Sequence, residues 1–98
     1  MTSKQRAFLK SIAMKEDAVF QIGKSSLTPE VTSAVSEALE KRELIKISVL
    51  KNCTEDIDMI AEALAGRTRS TVVQVIGRRI VLYKQAKDPE KRKIVLPK

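Results

Sequence analysis

Helical and strand-like patterns alternate along this chain, and that alternation most limits the folds open to it. Three segments with apolar residues at helical spacing are each followed by a shorter run typical of a strand, and two strand-like runs close the pattern. Strands separated by helices favour at least one parallel strand pair with a crossover helix. The sequence therefore predicts an α/β fold, a single two-layer domain in the order α-β-α-β-α-β-β, with a mixed four-stranded sheet.

Capping residues predict where the helices begin and end. Thr28 is expected to cap the second helix, with Pro29 in its first position. Thr54 is expected to cap the third helix and Gly66 to end it. The first helix is the segment "SKQRAFLKSIAMK", and its predicted apolar stripe consists of Phe8, Leu9, Ile12 and Ala13.

The predicted strands are "AVFQIG", "LIKISVL" and the two halves of "STVVQVIGRRIVLYKQ", which form a hairpin around Gly77, Arg78 and Arg79. The domain is expected to span residues 1–86. Residues 87–98 form a basic C-terminal tail for which the sequence predicts no regular structure.

Composition excludes several classes of function. The 98 residues fit one domain, and they include no histidine and one cysteine, so a zinc site from nitrogen and sulfur ligands cannot be built. The missing histidine also removes the commonest general base. No apolar run approaches the ~20 residues of a membrane span, and no signal peptide is visible. We expect a cytoplasmic protein that holds no cofactor or metal, does not associate with a membrane and acts on no small-molecule substrate.

The charge is unevenly distributed along the chain. The net charge is +7, with +4 on residues 1–15, −5 on residues 16–66 and +8 on residues 67–98. If the two basic ends meet in the fold, they create a field that attracts a polyanion. A solvated, soluble surface is the simpler alternative.

The stretch "GKSS" suggests a phosphate site. A nucleotide-binding Walker A loop is excluded, because its first glycine would fall at Ala18. A short loop between a strand and a helix can instead hold a nucleic-acid backbone through its amides, the helix amino end and Lys24, as the G-x-x-G loop of a KH domain does. The alternative is an ordinary turn in which Gly23 supplies only a backbone angle.

Other basic side chains could extend such a site. They are Lys4, Arg6 and Lys10 on the first helix and Arg67, Arg69, Arg78 and Arg79 around the hairpin. Charged hairpin tips also serve solubility alone. With only Phe8, Phe20 and Tyr83, the chain has no aromatic platform of the kind that stacks single-stranded bases.

Four stretches taken in order resemble a known family: "FQIGKSSLT", "EALEKRELIKISVL", the third-helix region and "VVQVIGRRIVLYK". Together they resemble the CRM domain (chloroplast RNA splicing and ribosome maturation), in its stand-alone bacterial YhbY form, from residue 4 to about residue 84. The resemblance implies a fold similar to the C-terminal domain of translation initiation factor three. It also implies RNA binding through a GxxG loop, with a precursor of the large ribosomal subunit as partner.

The family loop corresponds to Gly23, Lys24, Ser25 and Ser26, and Ser26 stands where the family usually has its second glycine. We expect Ser26 to keep the loop geometry by adopting a left-handed backbone conformation.

Residues and resemblance together predict a non-enzymatic RNA-binding protein that associates with ribosomal RNA and assists ribosome assembly. A protein-binding adaptor that docks on ribosomal proteins is the main alternative. A small enzyme is a third possibility, which the missing histidine and the lack of an acid–base pair disfavour. The RNA-binding residues are expected to be Gly23, Lys24, Ser25, Ser26, Lys4, Arg6, Lys10, Arg67, Arg69, Arg78 and Arg79.

Overall fold

A computed structural model describes residues 1–98. Its elements are α1 (Ser3–Ala13), β1 (Phe20–Ile22), α2 (Pro29–Arg42), β2 (Leu44–Val49), α3 (Ile57–Thr68), β3 (Thr71–Ile76), β4 (Arg79–Tyr83) and a short 3₁₀ helix (Pro89–Lys91). The predicted element order is confirmed. No helix in the chain has the length and apolar character required to cross a membrane.

The four strands form one mixed sheet in the spatial order β1-β2-β4-β3. β1 pairs parallel with β2, and β4 pairs antiparallel with both β2 and β3. The carboxyl ends of β1 and β2 and the β3–β4 turn consequently lie at the same end of the sheet. We call this the loop end, and it comprises residues 23–26, 50–53 and 77–78.

The main core lies between one sheet face and helices α2 and α3. Alternation along β2 directs Ile45, Ile47 and Val49 to this face, as the sequence predicts, and all three are buried. Val35 and Leu39 of α2 and Ile60 and Leu64 of α3 cover them. This cluster fixes α2 and α3 on the same side of the sheet.

Helix α1 covers the opposite sheet face. Leu9 and Ala13 pack with Leu44, Val81 and Tyr83, which alternate with the residues of the main core. The α/β class and the mixed four-stranded sheet are confirmed, but the sheet lies between helices on both faces and not in the expected two layers. The apolar stripe of α1 requires a second sheet face because α2 and α3 already occupy the first.

The helix boundaries are partly as predicted. Thr28 caps α2, and its hydroxyl accepts a hydrogen bond from the backbone N–H of Val31 at 3.1 Å. The prediction of Thr54 as the cap of α3 is wrong, because Asp56 fills that position and accepts a 2.8 Å hydrogen bond from the N–H of Asp58. Gly66 does not end α3, which continues for two residues to Thr68.

The first helix is also slightly different from its predicted pattern. Phe8 was expected in the apolar stripe, yet it is exposed, because Leu9 and Ala13 are the residues that face the sheet. The helix begins earlier than its apolar residues suggest, with Thr2 as its cap. Gln5 completes a capping box by accepting from the backbone N–H of Thr2 at 3.0 Å.

The basic tail lies against the domain. Ile94 and Leu96 pack on the cluster beneath α1, and the Gln5 side chain donates a 3.0 Å hydrogen bond to the carbonyl of Pro97. The carboxylate of Glu43, completely buried at the end of α2, accepts hydrogen bonds from the tail backbone. The tail therefore contributes apolar contacts and hydrogen bonds to the folded domain.

Candidate nucleic-acid interface

The segment from Gly23 to Ser26 forms a tight turn between β1 and α2. The backbone N–H of Ser26 donates to the carbonyl of Gly23 at 2.9 Å, which leaves Lys24 and Ser25 exposed at the tip. Ser26 has a φ of +55°, so the predicted left-handed conformation is present at Ser26. Gly23 has no positive φ, and a left-handed angle at the glycine does not explain this turn.

Backbone hydrogen bonds join the three segments of the loop end. The N–H of Leu50 donates to the carbonyl of Ile22 at 2.8 Å, and the N–H of Val49 donates to the carbonyl of Arg78 at 2.7 Å. Gly23 also lies close to Asn52 of the 50–53 segment, because a Cβ placed on Gly23 would be only 3.5 Å from the side-chain oxygen of Asn52. The segment after β2 is thus held between the 23–26 turn and the hairpin.

Arg78 has a structural part in this arrangement. Its Nε donates to the carbonyl of Val49 at 2.9 Å, and its Nη2 donates to the carbonyls of Leu50 and, at 3.3 Å, Cys53. These carbonyls belong to the chain as it leaves β2. The guanidinium group therefore fastens the 50–53 segment to the hairpin, and most of its donors are directed into the protein.

Arg6 is directed into the protein in a similar way. Its Nη1 donates to the carbonyl of Val72 at 2.6 Å and to that of Val73 at 2.9 Å. These residues lie at a register shift between Val72 and Gln74, on the edge strand β3. Arg6 thus fastens α1 to the irregular part of the edge strand.

Three of the remaining expected site residues line two depressions. Lys10 and Arg79 line one depression on the α1 side of the sheet, together with Lys46. Arg67 lines another depression with Ser25 and Ser26, on the side of α3. The structure therefore brings several of the expected basic residues to the loop end, on two different sides.

Two expected residues lie away from the loop end. Arg69 follows α3 just before β3, whose first residue, Thr71, pairs with Tyr83 at the opposite end of the sheet. Lys4 is exposed in the first turn of α1, directly before Gln5, whose side chain donates a hydrogen bond to the C-terminal tail. These two side chains do not share a surface with the 23–26 turn.

Two further basic residues were missed from the sequence. In the sequence, Lys46 only alternates with the buried residues of β2, and Lys51 lies outside every motif. Lys51 is exposed in the loop-end segment that follows β2. Strand alternation could have placed Lys46 on the α1 face, but only the sheet order shows that Arg79 lies there too.

The α3 side of the loop end carries acids as well as bases. Glu55 lines the same depression as Ser25 and Arg67, and Asp56 and Asp58 follow in the cap and first turn of α3. On the α1 side the charged lining residues are all basic. A polyanion is therefore attracted more strongly from the α1 side.

The two side chains with shifted pKa values lie far from the loop end. Burial raises the pKa of Tyr83, and the nearby Glu43 carboxylate raises it further. Burial also disfavours a charged Glu43, but backbone hydrogen bonds and the charge of Arg92 outweigh it and lower the pKa of that carboxyl. The lowered pKa of Glu43 arises from its contacts with the tail and the residues before it.

Comparisons with known proteins agree with these features. A family model described as the CRS1 / YhbY (CRM) domain matches residues 1–84. The chain is 48% identical over 97 residues to "Probable RNA-binding protein YqeI" of Bacillus subtilis, covering 99% of both chains. It is 35% identical over 98 residues to "RNA-binding protein" of Haemophilus influenzae, covering 100% of this chain and 96% of that protein.

A solved structure has the same fold. The solution structure of the hypothetical protein SAV1595 from Staphylococcus aureus matches with a TM-score of 0.79 at 41% identity, covering 99% of both chains. Family model, relatives and fold confirm the resemblance that the sequence motifs predict. The chain belongs to the CRS1 / YhbY (CRM) domain family.

Proposed function

We propose that the protein binds ribosomal RNA through the loop end and the neighbouring α1 side of the sheet. The observation that carries the proposal is the convergence of the 23–26, 50–53 and 77–78 segments at one end of the sheet, where Lys24 and Lys51 are exposed. The depression lined by Lys10, Lys46 and Arg79 borders the 77–78 turn of the same end. Ammonium and guanidinium groups on a single surface neutralise phosphates, which dominate nucleic-acid affinity.

The names of two relatives contain the words RNA-binding protein, and this chain aligns with nearly the whole length of each. These names support RNA as the partner. The family resemblance supports the more specific proposal that the RNA belongs to a precursor of the large ribosomal subunit. In this function the protein assists ribosome assembly in the cytoplasm by holding folded RNA and carries out no covalent chemistry.

The position of Lys24 allows a direct test with a matched control. Lys24→Glu reverses a charge at the exposed tip of the turn, and Lys87→Glu makes the same change on the exposed tail. We expect Lys24→Glu to weaken binding to deproteinised ribosomal RNA. We also expect the slope of log affinity against log salt concentration to become shallower by at least ~0.7, which is the contribution of one phosphate contact. Lys87→Glu should change the slope far less.

Equal effects of the two reversals would contradict the choice of the loop end as the RNA site. The adaptor alternative has its own outcome in the same experiment. If the protein binds ribosomal particles but does not bind deproteinised RNA at any salt concentration, it docks on ribosomal proteins and the proposal fails.

A further inference from the structure

A depression lies where the C-terminal half of α1 stops short of the hairpin. It measures about 570 Å³, within the ~300–1,000 Å³ typical of small-ligand sites. Lys10 of α1 and Met14, which follows the last residue of α1, form one wall. Gln74, Ile76 and Arg79 of the hairpin form another. Helix α1 covers the part of the sheet that contains Leu44 and Val81, and it leaves the part nearer the β3–β4 turn uncovered.

Strand register explains which side chains lie on this open part. Ile76 pairs with Arg79, Arg79 with Ser48, and Ser48 with Gln21, so one row of residues crosses all four strands. Lys46 and Gln74 flank Val81 in the next row. Residues directly opposite each other share a sheet face, so both rows lie on the α1 side.

The chemistry of the depression combines apolar and cationic groups. Met14 is 81% exposed and Ile76 is 59% exposed, although both are large and apolar. Lys10, Lys46 and Arg79 surround them, and no acidic residue lines the depression. An uncovered apolar surface among cations suits a ligand with an apolar face and a negative charge.

We propose that this depression takes an unpaired nucleotide of the bound RNA, a deduction that rests on the proposed function. The base lies against Met14 and Ile76, and the adjoining phosphates contact Lys10, Lys46 and Arg79. The side-chain amide of Gln74 offers both a donor and an acceptor to the base edge. Unpaired bases expose their faces, whereas the bases of a duplex remain stacked inside it.

Charge favours RNA over an apolar protein segment as the occupant. A protein segment that filled the apolar part would need acidic residues at every flank to satisfy three cations. An RNA strand has a phosphate at each nucleotide and therefore meets this requirement with any sequence. Since the depression adjoins the hairpin of the loop end, one RNA can contact it and the Lys24 turn together.

Two RNAs and one pair of variants test the inference. The RNAs are a hairpin with an unpaired loop and a blunt, fully paired duplex of equal charge. The double variant Met14→Ser/Ile76→Ser removes the exposed apolar surface, and Val95→Ser removes an apolar side chain that is 86% exposed on the C-terminal tail. We expect the double variant to bind the looped RNA about fivefold more weakly. Its affinity for the duplex should be unchanged, and Val95→Ser should alter neither affinity.

A wild-type protein that binds both RNAs equally, with no change in the double variant, overturns the inference and leaves the proposed function standing. Failure of the wild type to bind either RNA would instead refute the proposed function. If the double variant loses binding only to ribosomal particles that contain protein, the depression holds a protein segment and the nucleotide proposal is wrong.

Crosslinking gives an independent measurement of position. 4-Thiouridine placed in the unpaired loop should crosslink to the segments 10–14 or 74–79 of the wild-type protein. Crosslinks confined to residues 23–26 would place the unpaired bases on the turn and contradict the inference.

Discussion

Glu43 Oε1 accepts a 2.6 Å hydrogen bond from the backbone N–H of Lys93, which lies fifty residues further along the chain. The same carboxylate accepts from the N–H of Ile94 at 3.0 Å and from the N–H of Ala86 at 2.8 Å. The backbone carbonyl of Glu43 also accepts from the N–H of Lys84 at 2.8 Å. One buried residue thus joins the end of α2 to the C-terminal tail.

Replacing this carboxylate should release the tail. Glu43→Gln puts an amide NH₂ opposite backbone N–H donors, so at least one buried hydrogen bond is lost. We expect the free energy of unfolding at neutral pH to fall by about 1–3 kcal/mol and the amides of Lys93 and Ile94 to exchange faster. Chemical denaturation and hydrogen exchange measure the two effects.

Glu37→Gln is the matched control, because Glu37 is an exposed glutamate of the same helix. It should leave both measurements close to wild type. Unchanged exchange at Lys93 and Ile94 in Glu43→Gln would show that the apolar contacts of Ile94 and Leu96 hold the tail without the carboxylate.

The Glu43 attachment should also weaken in acid. Its pKa is below the ordinary value of 4.5 in the folded protein. A lowered pKa means that the charged carboxylate stabilises the fold above its unfolded pKa, and that this stabilisation is lost as pH falls through the folded value. The stability difference between wild type and Glu43→Gln should therefore be full at neutral pH and shrink below about 4.5. Urea denaturation of both proteins across this range measures it, and a difference that grows in acid would contradict the assignment.

Two adjacent arginines should behave differently. Arg78 donates to carbonyls of the 50–53 segment, whereas Arg79 is exposed. We expect Arg78→Ala to destabilise the domain by about 1–3 kcal/mol, which lowers Tm by roughly 4–8 °C per kcal/mol in a domain of this size. Arg79→Ala should change stability by at most about 0.5 kcal/mol and weaken RNA binding.

Thermal melts and RNA titrations of the two variants separate these roles. If Arg78→Ala has the same Tm as the wild type, the contacts of Arg78 with the backbone carbonyls do not hold the loop end together. If Arg79→Ala binds RNA as tightly as the wild type, the α1 side of the sheet is not part of the interface.

The sequence predicts the elements of this fold well and their arrangement less well. Periodicity identifies the helices and strands because each buries one face, as Leu9 and Ala13 or Ile45 and Ile47 do. It does not show that α1 lies across the sheet from α2 and α3. That placement depends on pairing between distant strands, which local patterns do not encode.

The candidate site shows the same limit. A Gly-Lys-Ser turn and a basic hairpin are visible in the sequence, but the donor directions of Arg6 and Arg78 are not. Glu43 was missed for a similar reason, since its partners are backbone groups about fifty residues away. An acid directly before the apolar run "LIKISV" is the one local signal that could have suggested a buried carboxylate.

Ser26 and Arg69 share one feature and lie at opposite ends of the sheet. Their φ values are +55° and +56°, so both residues are left-handed, a conformation that costs roughly 1 kcal/mol in a residue with a Cβ. Glycine relieves that strain but adds freedom to the unfolded chain. The Ser26 hydroxyl is also buried without a hydrogen-bond partner, and its removal costs no bond.

We therefore expect Ser26→Gly to raise the free energy of unfolding slightly, by up to about 1 kcal/mol, and to leave RNA affinity equal or better. Arg69→Gly is the matched change outside the proposed interface, and it should give a similar small gain with RNA binding unaltered. Thermal melts and RNA titrations at one salt concentration measure both variants. A clear loss of affinity in Ser26→Gly with folding intact, absent from Arg69→Gly, would make the serine hydroxyl an RNA ligand and contradict a purely conformational role.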